Sequence, residues 1–188
     1  MQKSCLIFTG DNLVILAGWE NGYPRLTDVE LVSTSSNNNL CNPLDFDSYQ
    51  YGHSSVATDR GILSCGGRGH ANSGGQLSKC ILQTKEGQIT TFPSMKRTRN
   101  LFGLAIVNDT AYAIGGGGAN ANGGGEATME KINIKTDTEW TLIDLPFRNN
   151  FHCLSTTPQS LVITGGKEGG GTAVSKLMLN LVNQNQKN

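Results

Sequence analysis

The sequence has no long apolar run, no excess of charge of one sign and almost no helical periodicity. No run approaches the roughly 18–20 residues needed to span a bilayer, so we expect no membrane segment, and no targeting segment is visible. The 15 Lys and Arg balance the 15 Asp and Glu, so no global field favours nucleic acid or an anionic membrane. Apolar residues instead form short runs bounded by Gly, Asn, Asp or Pro, which indicates short strands.

Patterns typical of metal and phosphate sites are also missing. The five cysteines contain no Cys-x-x-Cys pair, and the three histidines are not spaced for a shared helix or hairpin. The stretch "ITGGKEGG" lacks the spacing of a phosphate loop, and "DFDSYQYG" lacks the third ligand and the glycine of a calcium loop. We therefore predict neither a metal nor a cofactor.

The cysteines allow two interpretations. Buried small apolar residues are the simpler one, because free cysteine is often buried. Cys65 ends one predicted strand and Cys80 begins the next, so the two can face each other and form a disulfide in an oxidising compartment. The sequence leaves the compartment open.

Glycine is abundant and regularly spaced. The chain has 24 Gly, about twice the ~7% of average proteins. Strand-like apolar stretches lead into Gly18, Gly67, Gly116 and Gly166, at steps of 49, 49 and 50 residues. These steps define four copies of one repeat.

Each copy has the same internal plan. Two short strands joined by a turn precede the glycine, and a polar loop and a third strand follow it; a fourth strand is visible in "GQITTF" and "EWTLIDL". Four short antiparallel strands per ~50 residues predict a β-propeller. Glycine is then expected where the second strand leaves the sheet, because backbones approach closely there and positive φ is needed.

With these features the chain resembles the kelch-repeat family over nearly its whole length. The family's double glycine is present in three copies, Gly18 follows Ala17 in the first, and Trp140 matches the tryptophan that opens the fourth strand. The aromatic residue of the third strand is replaced by aliphatic residues such as Ile134. The resemblance assigns a structural role to eight residues: Gly18, Gly66, Gly67, Gly115, Gly116, Trp140, Gly165 and Gly166.

The resemblance implies an all-β, kelch-type propeller. We expect four blades of four antiparallel strands, the last without its outer strand, forming part of a larger propeller. Residues 1–182 divide into repeats at approximately 3–50, 51–99, 100–149 and 150–182, and residues 183–188 form a polar tail. Open blade edges would favour self-association.

In this family the loops between strands two and three, and those between blades, form the binding surface. In this chain they concentrate arginine and aromatic residues, which dominate interface energies, and several arginines in one basin suit an acidic peptide. The predicted binding residues are Trp19, Tyr23, Arg25, Tyr49, Tyr51, Arg68, His70, Arg97, Arg99, Arg148 and Lys167, with Phe102 beside them.

We therefore interpret the chain as a non-enzymatic protein-interaction scaffold, with a role in substrate recognition or as an adaptor. The expected partner is a protein or peptide, acidic in character, and neither nucleic acid nor membrane. One alternative is an extracellular recognition domain braced by Cys65 and Cys80. The other is a kelch enzyme of the galactose-oxidase or sialic-acid-epimerase type, although the copper ligands of the former cannot be placed in this sequence. Localisation is left open.

Overall fold

The structure is a computed structural model of the chain. It describes residues 52–68, 75–84, 88–117, 125–149 and 153–166 with their side chains. For residues 3–9, 12–19, 28–33, 42–45, 51 and 177–180 it describes the strand backbone.

The described residues form short antiparallel strands. They are β1 (Lys3–Thr9), β2 (Asn12–Trp19), β3 (Asp28–Ser33), β4 (Asn42–Asp45), β5 (Tyr51–Thr58), β6 (Gly61–Arg68), β7 (Cys80–Gln83), β8 (Ile89–Phe92), β9 (Gly103–Val107), β10 (Thr110–Ile114), β11 (Glu126–Asn133), β12 (Thr141–Asn149), β13 (Cys153–Thr157), β14 (Ser160–Thr164) and β15 (Leu177–Asn180). The expected all-β class is confirmed, and no helix occurs in the part of the chain that the structure describes.

The strands form four sheets in which neighbours in sequence are neighbours in space. Their orders are β1-β2-β3-β4, β5-β6-β7-β8, β9-β10-β11-β12 and β13-β14-β15. The first strand of each sheet contacts the first strand of the next, from β1 to β5, β9 and β13. The sheets are therefore the blades of a propeller, with these first strands innermost, as the repeat predicts.

The cores lie between blades. One cluster joins the second and third blades and contains Leu63, Leu82 and Phe92 of the second blade with Leu104, Ala111, Ala113, Ile132 and Trp140 of the third. A second cluster joins Ala105, Val107, Ile114 and Met129 of the third blade to Leu161 and Ile163 of the fourth. Successive side chains of a strand point to opposite faces, so each blade contributes to both of its junctions.

Backbone conformations explain the turn and glycine positions. Asn108 and Asp109 have φ of 48° and 60°, the left-handed pair that suits a two-residue hairpin. In all three double glycines both residues have positive φ, between 60° and 95°. The third and fourth blades end their second strand directly before the pair, whereas β6 continues through Gly66 and Gly67 because Arg68 still pairs with Tyr51.

Candidate interaction surface

The strand order separates two ends of the propeller. Because neighbouring strands run in opposite directions, the connections between β6 and β7 and between β10 and β11 emerge at the same end as the linkers from blade to blade. We call this end the loop face. The opposite end, the turn face, carries the hairpin turns at Asp59 and Arg60 and at Asn108 and Asp109.

The linker between the second and third blades is held by both of them. The amide of Arg99 donates to the carbonyl of Leu77 (3.0 Å), and the carbonyl of Arg99 accepts from the amide of Gly67 (2.7 Å), all within the second blade. One residue later, Asn100 exchanges two backbone hydrogen bonds with Gly117 of the third blade, at 2.9 and 2.7 Å. The linker therefore passes from one blade to the next at Arg99.

The side chain of Arg99 completes this connection. Its guanidinium donates to the carbonyls of Gly115 (2.8 Å) and Thr128 (3.0 Å) and to the hydroxyl of Thr128 (2.8 Å). It also pairs with Glu130 at 3.1 Å, and both side chains are 0% exposed. The other partners of Glu130 are the amides of Lys96 and Arg97. A buried charge requires such complete pairing.

Burial lowers the pKa of the Arg99 guanidinium from its ordinary value, and the negative charge of Glu130 opposes that shift. The charged pair is thus retained by its hydrogen bonds, in an environment that would otherwise penalise charge. The expectation that Arg99 lies on the binding surface is wrong, because its guanidinium is enclosed by the third blade. Phe102 is likewise buried, in the cluster between the second and third blades.

Asn149 occupies the corresponding place at the next junction. Its carbonyl accepts from the amide of Gly116 (2.8 Å), as that of Arg99 does from Gly67. Its side-chain Nδ2 donates to the carbonyl of Gly165 (3.2 Å), as the guanidinium of Arg99 does to Gly115. Arg99 and Asn149 are 50 residues apart, as are Gly115 and Gly165, so the repeat step relates the two arrangements.

This connection gives the double glycine its steric role. A Cβ on Gly66 would lie 2.5 Å from the carbonyl oxygen of Arg99 and 2.6 Å from the ring of Phe102. A Cβ on Gly116 would lie 2.5 Å from Cβ of Phe102 and 2.7 Å from the carbonyl oxygen of Asn100. The pair is therefore glycine because the linker packs directly against it, as well as because φ is positive.

Trp140 fastens the outer part of the same junction. It directly precedes β12, is fully buried, and donates its indole Nε1 to the carbonyl of Pro93 at 2.8 Å. Pro93 begins the linker, after β8 of the preceding blade. Because a buried indole needs a hydrogen-bond partner, this contact fixes the two blades to each other.

Three predicted binding residues keep accessible side chains. Arg68 and Arg97 are partly exposed and Arg148 is exposed; Arg148 donates to the carbonyl of Gly125 at 3.4 Å. None of the three forms an ion pair with an acidic residue within the described ranges. Trp19 and Tyr51 lie in described strands, but their side chains fall outside the description. The remaining predicted binding residues are outside the described residues altogether: Tyr23, Arg25, Tyr49, His70 and Lys167.

The loop face also contains polar groups that the sequence did not indicate. Arg68 Nε, Gln76 Oε1 and Asn100 Oδ1 are shielded from solvent and make no hydrogen bond, and Asn149 Oδ1 is in the same condition at the next junction. Buried polar atoms without partners are few in proteins, and each requires an explanation. The repeat step of about 50 residues could have predicted that Asn149 occupies the same position in its repeat as Arg99. No local sequence pattern indicates a role for Gln76.

Cys65 and Cys80 lie directly opposite each other on β6 and β7. Their Sγ atoms are 2.06 Å apart, at disulfide-bonding distance, and both residues are completely buried in the cluster between the second and third blades. Burial, which the first interpretation expected of the five cysteines, thus holds for these two residues, which also face each other as the disulfide interpretation expected. Cys153, by contrast, is exposed at the start of β13.

Within the described residues, no three His, Cys, Asp or Glu side chains come together as metal ligands. The same part of the chain contains no helix long and apolar enough to cross a membrane.

Comparison with known proteins agrees with the blade architecture. No protein-family model matches the chain. It is 28% identical over 184 residues to a Kelch repeat and BTB domain-containing protein 2 of Cowpox virus (strain GRI-90 / Grishak), covering 89% of this chain and 31% of that protein. The protein of the same name from the Brighton Red strain is 29% identical, with 88% and 31% covered.

A solved structure shares the fold. The structure of YjhT superposes with a TM-score of 0.74 at 11% identity, covering 97% of this chain and 66% of that one. The chain has the fold of a β-propeller, and its repeats are similar to those of kelch-repeat proteins. It spans about a third of the length of the curated relatives it matches. Those kelch relatives support, in general terms, a protein-interaction module.

Proposed function

We propose that this kelch propeller binds an acidic segment of a partner protein on its loop face, as a recognition or adaptor module. The observation that carries the proposal is the difference between the arginines of this face. The guanidinium of Arg99 is buried and paired with Glu130. Arg68, Arg97 and Arg148 keep accessible side chains and have no acidic partner within the described residues. Accessible guanidinium groups bind carboxylates through paired, charge-assisted hydrogen bonds.

Rigidity of the support favours binding. The linker that carries Arg97 is hydrogen-bonded to both neighbouring blades, through Arg99 and Asn100. The backbone amide of Arg97 is itself bound to the buried carboxylate of Glu130. A surface held in this way loses little entropy when a partner binds, so more of the contact energy is available as affinity.

The test is a selection of displayed random peptides on the full chain, followed by charge reversal. We expect enrichment of Asp and Glu, and a loss of affinity of about tenfold for Arg97→Glu combined with Arg148→Glu, by fluorescence anisotropy. Lys135→Glu, on the turn face, is the matched control and should leave affinity unchanged. Peptides that bind the double variant as tightly as the parent chain would contradict the proposal.

A second candidate is supported by the position of Cys65 and Cys80, which face each other on β6 and β7. A recognition domain working in an oxidising compartment would carry a disulfide between them and leave three of its five cysteines free. Thiol titration of the denatured, unreduced chain distinguishes the two cases, because five free thiols would remove the oxidising compartment from consideration.

A further inference from the structure

Three unpartnered polar atoms, on Arg68, Gln76 and Asn100, lie where the second and third blades meet on the loop face. Arg68 and Gln76 are linked by a backbone bridge across the start of the loop between β6 and β7, and Asn100 is bridged to Gly117. A Cβ placed on Gly117 would collide with Oδ1 of Asn100 and lie 3.7 Å from Nε2 of Gln76. The two amide side chains therefore converge over Gly117.

The chemistry of the cluster is specific. It offers one unused donor, Arg68 Nε, and two unused acceptors, Gln76 Oε1 and Asn100 Oδ1. Asn100 is only 6% exposed, so its oxygen cannot be satisfied by bulk solvent. A buried donor or acceptor without a partner is costly, because it has lost its hydrogen bonds to water. A group that supplied two N–H donors and one acceptor would satisfy all three atoms together.

We infer that this cluster is a subsite for a primary carboxamide, the side chain of an Asn or Gln of the bound partner. The carboxamide oxygen accepts from Arg68 Nε, and its NH2 group donates to Gln76 Oε1 and Asn100 Oδ1. A carboxylate has no N–H to offer, so it would leave both acceptor oxygens unpaired and close to a negative charge. The subsite thus shares Arg68 with the acidic-segment surface, but its two acceptor oxygens select a carboxamide over a carboxylate.

The position of the cluster allows access after a small rearrangement. Arg68 and Gln76 are both partly exposed, although the three unpartnered atoms themselves are covered. We therefore expect a rotation of the partly exposed Gln76 side chain to give a ligand access to the cluster. The subsite belongs to the loop face and rests on the binding function proposed above.

The test is an NMR titration of the isotope-labelled full chain with N-acetylglutamine methylamide, which requires no knowledge of the partner. We expect saturable shifts at the Arg68 Nε–H and the Gly117 amide. N-acetylglutamate methylamide, of nearly identical shape, should bind at least about tenfold more weakly, since the hydrogen bonds to Gln76 Oε1 and Asn100 Oδ1 are both lost.

Two leucine variants localise the effect. Gln76→Leu should weaken binding of the glutamine probe by about tenfold, whereas Gln88→Leu, at an exposed glutamine outside the cluster, should leave it unchanged. If Gln76→Leu does not fold, Asn100→Leu takes its place, because the side-chain oxygen of Asn100 makes no hydrogen bond within the chain.

Two results would overturn the inference. The absence of saturable shifts at Arg68 and Gly117 would mean that a resident water satisfies the atoms, and equal binding of the glutamate probe would mean an anion subsite. Acidic peptides that bind without any response to the glutamine probe would leave the proposed function intact and remove the subsite alone. A probe response without any enriched peptide would count against the proposed function instead.

Discussion

The two described blade junctions use one backbone arrangement with different side chains. Between the second and third blades, the guanidinium of Arg99 donates hydrogen bonds to the carbonyl of Gly115 and to the carbonyl and hydroxyl of Thr128. Its charge is balanced by the ion pair with Glu130. Between the third and fourth blades, Asn149 reaches the carbonyl of Gly165 with one hydrogen bond, and its Oδ1 has no partner.

The comparison shows what the repeat itself requires. At both junctions, the backbone carbonyl of the linker residue accepts a hydrogen bond from the second glycine of its own blade. Its side chain donates a hydrogen bond to the carbonyl of the first glycine of the next blade. The buried ion pair is an addition at one junction. Because breaking a buried pair leaves an uncompensated charge, this junction should be the more sensitive of the two to mutation.

The largest expected effect is therefore at Arg99. Arg99→Ala should lower the free energy of unfolding by about 3–5 kcal/mol, because Glu130 would remain buried without its counter-charge. Asn149→Ala should cost only about 1 kcal/mol, the contribution of one hydrogen bond. Urea unfolding measures both. Equal losses for the two variants would mean that the ion pair adds nothing at its junction, and the double variant Arg99→Met/Glu130→Met should recover most of the loss.

Next in size are the glycine pairs. Gly116→Ala places a Cβ 2.5 Å from Phe102 and 2.7 Å from the carbonyl of Asn100 at a φ of +87°, and should cost about 2–4 kcal/mol. Gly165→Ala has a φ of +67° but no heavy atom of the described residues within 4 Å, and should cost about 1–2 kcal/mol from backbone strain. Thermal denaturation compares them. A larger loss at Gly165 would refute linker packing as the reason for the pair.

A smaller effect is expected at Trp140. Trp140→Phe removes the hydrogen bond to Pro93 and part of the ring from the cluster between the second and third blades. The free energy of unfolding should therefore fall by about 1–2 kcal/mol. Amide hydrogen exchange is the sharper measurement, because protection should fall in β8 and β12 and remain unchanged in β14. Uniform loss of protection across the blades would argue against a local fastening.

The smallest effect is on the turn face, where Lys135 lies 3.0 Å from both Asp59 and Asp109. The hydrogen bond with Lys135 lowers the pKa of Asp59 below 3.8, and the bonds with Asp59 and Asp109 raise the pKa of Lys135 above 10.5. Asp59 thus stabilises the fold at pH values above 3.8, and this effect is lost as the pH falls through the pKa of Asp59 in the folded state. Lys135 stabilises the fold below pH 10.5, and this effect is lost as the pH rises through the pKa of Lys135 in the folded state.

Lys135→Met should therefore change the melting temperature only slightly between these limits, because surface pairs contribute little. The difference from the parent chain should shrink at both pH extremes and at high salt. A difference that stayed constant across pH would assign the effect of Lys135 to packing and not to charge.

The sequence predicts the blades well and the junctions poorly. The 49- and 50-residue steps between glycines place the second strands, and the turn residues Asn108 and Asp109 place a hairpin, because both depend on local backbone conformation. The role of Arg99 depends on Glu130, which is 31 residues away on the third strand of the next blade. A cation in a linker is ordinarily solvated, so its sequence neighbours give no reason to expect burial.

The same limit applies to the polar cluster of the loop face. Gln76 and Asn100 lie in connections, where polar residues are expected to face water. Their convergence over Gly117 follows from the meeting of two blades, and no spacing within either repeat encodes it.

The linker residue at each junction has a consequence for how the propeller comes apart. Arg99 and Asn149 each accept a hydrogen bond from their own blade and donate one to the blade that follows. We therefore expect the cooperative unit to extend beyond the sequence repeat, across the linker into the following blade. Loss of one blade would remove hydrogen-bond partners from the linkers on both sides of it, so unfolding should spread to both neighbouring blades from whichever blade opens first.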